Sequence, residues 1–165
     1  MPSNTSLSIY VAEQLLSDSR YEEQIDWYHA YLILAKEVGR QSIPQQELHF
    51  GFKKGGIMSP TAKKPESKSS HTHLCVIENA SITLAYWNHA LQFAKHVKEH
   101  DIPFGNNFRS SPTAINCRTG VKDTLAVLGI ELKDTFFKSS AGTETSLDLN
   151  YPQYSANSTP TIQPT

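Results

Sequence analysis

Three residues far apart in the chain carry side chains that could together perform nucleophilic catalysis: Cys117, His29 and His49. Cys117 stands in Ile115-Asn116-Cys117-Arg118-Thr119-Gly120-Val121, after the loop-forming Ser110-Ser111-Pro112-Thr113. Pro112 pushes Ser111 away from helical dihedrals. Downstream, Val121, Leu125 and Leu128 recur at helical spacing, and Gly129 is a natural stop. A helix is therefore expected to open at the cysteine, with Asn116 as its N-cap. There the unpaired backbone N–H groups and the positive end of the helix dipole favour a thiolate and could hold an oxyanion. The competing reading of the same residue is a small buried hydrophobe.

A thiol nucleophile needs a base, and the base needs an orienting group. Residues 27–34 (Trp-Tyr-His-Ala-Tyr-Leu-Ile-Leu) read as a buried strand in which His29 shares a face with Trp27 and Tyr31. Residues 47–52 alternate as a second strand, with His49 on the face of Glu47 and Gly51. A hairpin through residues 39–44 would set the two histidines side by side. One would take the thiol proton while the other steadies it through its second ring nitrogen. Either histidine taken alone is equally a half-buried residue of an amphipathic strand.

The elements that must position these side chains follow from periodicity. Residues 7–16 are ambiguous: Leu7, Ile9 and Val11 alternate like a strand, whereas Val11, Leu15 and Leu16 suit a helix. Residues 73–77 read as a third strand and residues 135–138 as a short last one. From Ser81, a good N-cap, Leu84, Trp87, Leu91, Ala94 and Val97 recur at three and four, which is an amphipathic helix to about His100. Residues 101–107 break it. Residues 51–70, with two lysine-rich clusters, read as a long polar loop, either a functional lid or a solvated connector. Residues 139–165, rich in Ser, Thr, Pro, Asn and Gln, read as a disordered tail. The expected architecture is one α+β domain over residues 1–138, an antiparallel sheet packed against helices.

Composition narrows the partners. A chain of 165 residues with net charge −1 favours neither nucleic acid nor an anionic membrane. Two cysteines do not make a secreted disulfide framework. No stretch approaches the ~20 apolar residues of a membrane span, and the first residues lack a signal-peptide pattern. The expected location is cytoplasmic, or exported without a cleavable signal. Oligomeric state is not legible.

A different constellation is His71, His73 and Cys75, which alternate and could ligate zinc with a fourth ligand from elsewhere. His89, His96 and His100 read as exposed or boundary residues of the long helix. His96 and His100 stand one turn apart, but no acidic general base accompanies them as in a metalloprotease helix.

The order His29, His49, Cys117 across strand, strand and helix start resembles the permuted branch of the papain-like NlpC/P60 superfamily, which includes lecithin:retinol acyltransferase-like proteins. The matching positions are Tyr28-His29-Ala30-Tyr31, Leu48-His49-Phe50-Gly51 and Asn116-Cys117-Arg118, within residues 26–130. The chain departs from the family pattern in the neighbours of His29 and in the extra Phe108-Arg109-Ser110-Ser111 before the cysteine. The resemblance implies a papain-like fold in which Cys117 attacks an acyl carbon and His29 acts as base, then acid. His49 would orient His29, and the backbone N–H of Cys117, capped by Asn116, would support the oxyanion. It further implies a cofactor-free amidase, peptidase, esterase or acyltransferase acting on a peptide, protein or acyl-lipid substrate. The compact size, the loose tail and the missing signal pattern fit a bacterial effector or toxin domain. The alternative expectation is a non-catalytic protein-binding module.

Overall fold

The computed structural model describes residues 6–16, 27–53, 57–65, 71–78, 82–100, 117–132 and Tyr151. Five strands come first: β1 (Ser6–Leu16), β2 (Trp27–Val38), β3 (Gln41–Lys53), β4 (Ile57–Lys63) and β5 (His71–Glu78). Two helices follow, α1 (Thr83–Glu99) and α2 (Cys117–Val127). The strands form one sheet in the order β4-β3-β2-β1-β5, and each pairs with its neighbours antiparallel. The chain is thus α+β, with an antiparallel sheet and helices packed on it.

Alternation along the strands separates two faces. Ile9, Val11, Ala30, Leu32, Leu34, Leu48 and Phe50 point to one side. There they form the main core with Trp87, Ala90, Phe93 and Val97 of α1 and Val121 and Leu125 of α2. Tyr10, Ala12, Tyr31, Ile33 and Ala35 point to the other side and form a smaller cluster. The helices therefore cover the apolar face, where burial of hydrocarbon gains most.

Several elements differ from expectation. Residues 6–16 resolve as a strand, placed between β2 and β5, because pairing on both edges satisfies their backbone. Residues 57–63, expected as loop, pair with β3 from Lys53↔Ile57 to Glu47↔Lys63. Pro60 is compatible with this position because β4 is an edge strand. The β2–β3 turn is tighter than residues 39–44. Val38 pairs with Gln41 across Gly39-Arg40, and Gly39 takes φ 60°, which glycine adopts without a Cβ penalty. Helix α1 has Ile82 at its N-cap position with no side-chain cap, rather than Ser81. Helix α2 ends as expected: Gly129 has φ 80°, its N–H bonds Ala126 O, and Ile130 N–H bonds Leu125 O. The expected strand at 135–138, the break at 101–107, Asn116 and residues 139–150 and 152–165 of the expected tail lie outside the described residues.

No helix among the described residues is long and apolar enough to cross a membrane.

Candidate active site

The hairpin of β2 and β3 does bring the two histidines together. Tyr31 pairs with His49 across the strands, and His29, two residues from Tyr31, shares its face. His29 Nε2 lies 2.7 Å from His49 Nδ1. On the far side of the same ring, His49 Nε2 lies 2.8 Å from Glu47 Oε1. The three side chains form one continuous chain of hydrogen bonds. Tyr31, itself fully buried, stacks on both imidazoles, with ring centroids 4.5 Å from His49 and 5.7 Å from His29. Glu47 and His49 are buried, whereas His29 is only half-buried. The chain thus runs from an enclosed carboxylate to an imidazole that solvent can reach.

The protonation states follow from the partners. A carboxylate only accepts, so His49 Nε2–H is the donor to Glu47. Neutral His49 then presents an acceptor at Nδ1, and His29 donates to it from Nε2–H. In that tautomer neutral His29 carries its lone pair on Nδ1. A proton arriving there makes an imidazolium whose charge is stabilised through His49 by Glu47.

Cys117 is placed differently. It is the first described residue of α2, and that helix packs on the opposite, apolar face: Gly120 approaches Phe50 so closely that a Cβ would meet its side chain. The thiol is buried against the backbone of Ala30, one residue along β2 from His29 but on the other face of the strand. Among the described residues no hydrogen bond joins Cys117 to either histidine. Burial pushes its pKa up. The opposing pull of hydrogen bonds from the backbone of Ala30, Arg118 and Cys117, and of the Arg118 charge, does not compensate.

The histidine face continues across β1 and β5. Cys75 pairs with Tyr10, and His73 with Ala12. His73 has its pKa lowered, chiefly by desolvation, with the Glu47 carboxylate pulling the other way. Cys75 is exposed, and its thiol is shifted up by partial desolvation and by the negative charges of Glu78 and Glu37. Nearby, Tyr10 Oη donates to Glu37 Oε1 at 2.6 Å, and Ser42 Oγ donates to Glu37 Oε2 at 2.7 Å. Desolvation alone would raise the Glu37 pKa, but these hydroxyl bonds outweigh it and hold the carboxyl below its ordinary value. As for the zinc set, His71 pairs with Gln14 in the same register. Among the described residues no three His, Cys, Asp or Glu side chains converge as metal ligands.

Sequence reasoning placed Glu47 and Tyr31 on the faces of His49 and His29 but gave neither a role in a hydrogen-bonded relay. Both stand two residues from a candidate histidine in the same strand, so the signal was the alternation itself. No protein-family model matches the chain, and no curated protein or solved structure shows significant similarity to it.

Proposed function

We propose that the protein is a hydrolase or acyl transferase acting on an amide or acyl bond, with the Glu47–His49–His29 chain as its acid–base device. The observation that carries this reading is the unbroken hydrogen-bond path from buried carboxylate to accessible imidazole. His29 Nδ1 removes a proton from the attacking water or hydroxyl and returns it to the leaving group. His49 holds the His29 ring in orientation, and Glu47 stabilises the positive charge that forms. The step needs no cofactor. Tyr31 packs the two rings in register.

A second reading makes Cys117 the nucleophile in a papain-like arrangement. It is favoured by the position of the thiol in α2, against the backbone of the residue next to His29. In that reading the first turn of α2 must carry the thiol to the histidine side of β2, and the backbone N–H groups there support the oxyanion.

Turnover of a panel of activated acyl esters and peptide amides by the wild type, His29→Ala and Cys117→Ala separates the two. Loss with His29→Ala and retention with Cys117→Ala supports the relay acting on water or a hydroxyl. Loss with both replaces it by the cysteine mechanism. Turnover that survives His29→Ala overturns both, and the chain is then better read as a binding module.

A further inference from the structure

Helix α1 and its C-cap residue His100 carry a second group of histidines, remote in sequence from the strand site. His89, His96 and His100 are separated by seven and four residues, so they fall along one stripe of the helix. The rings of His96 and His100 lie 4.1 Å apart between centroids, tilted by 42°. His100 Nδ1 lies 2.8 Å from His96 O, and a carbonyl only accepts, so this nitrogen carries the hydrogen. Nε2 of His100 is left with the lone pair. His96 Nε2 is buried and has no hydrogen-bond partner among the described residues. A buried polar nitrogen without a partner is costly, and an ion or a water is the usual resolution.

We propose that His96 and His100 form a two-histidine site for a first-row transition-metal ion of the Zn²⁺ or Cu²⁺ type, ligated through Nε2 of both rings. Imidazole nitrogens are the ligands such ions select, and two histidines one turn apart on a helix present them to one point. The bond from His100 Nδ1–H to a main-chain carbonyl is the outer contact that fixes tautomer and ring direction in metal-ligating histidines. Water fills the remaining positions. The Tyr151 ring packs against His96 at 5.0 Å and against Phe93 at 5.3 Å. It covers His96, so entry of the ion displaces this ring.

The test titrates Zn²⁺ and Cu²⁺ into the full chain by calorimetry, for the wild type, His96→Ala and His100→Ala. Carbethoxylation of the wild type with and without metal, read residue by residue by mass spectrometry, needs no variant and so is independent of any effect on folding. Saturable binding is expected, weakened about tenfold or more by either substitution, with His96 and His100 protected by metal. Protection confined to His29, His49 or His73, affinity unchanged in both variants, or absence of saturable binding overturns the site.

Discussion

His49 Nε2 and Glu47 Oε1 lie 2.8 Å apart although the two residues belong to the same strand, separated only by Leu48. Extended backbone turns both side chains to one face, so a single stretch of β3 supplies an imidazole and the carboxylate that fixes its tautomer. Leu48 between them enters the opposite core and anchors the pair. The polar chemistry is therefore built on a strand whose other face is fully occupied by packing.

The carboxylate is the first place to intervene. Glu47→Gln keeps the shape and can still accept from His49, but it removes the charge that stabilises the His29 imidazolium. If the relay is catalytic, turnover falls by about 10²-fold or more, with little change in KM. Glu47→Ala leaves buried His49 Nε2–H without its acceptor and costs about 1–3 kcal/mol of stability, measured by urea unfolding. Equal activity of wild type and Glu47→Gln would remove Glu47 from the mechanism.

Cys117 should behave as a buried thiol. Iodoacetamide is expected to label exposed Cys75 well before Cys117 at neutral pH, as read by mass spectrometry. The linkage has a definite sign. Burial raises the folded-state pKa of Cys117 above the unfolded value of about 8.5. The stability this contributes is fully present below the unfolded pKa and is lost as pH rises through the higher folded one. The stability difference between wild type and Cys117→Ala should therefore shrink as pH rises above about 8.5, and a difference that grows there contradicts the placement of the thiol.

Gly120 allows α2 to seat on the sheet. A Cβ there would lie 2.5 Å from Phe50 Cγ and 2.7 Å from Cδ1. Gly120→Ala gains about 1 kcal/mol of helix propensity but overpacks the contact at about 1–3 kcal/mol. Net destabilisation is expected, relieved in part by combining it with Phe50→Leu in a double-mutant cycle. Additive effects would show that the two residues are not in contact.

Trp87 links the long helix to the sheet: its Nε1–H donates to Gln46 Oε1 at 2.6 Å, and the residue is otherwise buried in the core. Trp87→Phe loses that bond and some packing, for about 1–3 kcal/mol in chemical denaturation. Trp87→Phe combined with Gln46→Leu should recover part of the loss, because no polar group is then left without its partner.

The sequence alone determined the local elements with the strongest periods. Leu84 to Val97 recur as an amphipathic helix, and Gly129 stops α2 where a positive φ is needed. Alternation placed His29 with Tyr31 and His49 with Glu47, because side-chain direction in a strand depends only on parity. Parity also allowed the histidines to meet once β2 and β3 paired. Tertiary structure decided the rest. Residues 57–63 look like loop because an edge strand needs little apolar content, and their pairing with β3 is a non-local event. Residues 6–16 fit either period until two neighbouring strands claimed their backbone. The placement of Cys117 is the sharpest case. That a helix covers Val121 and Leu125 was legible from their spacing, but the face of the sheet that this helix covers was not. That choice follows from Ala30, Leu32, Leu48 and Phe50, whose apolar surface the helices bury, and it leaves the imidazoles of His29 and His49 on the other side.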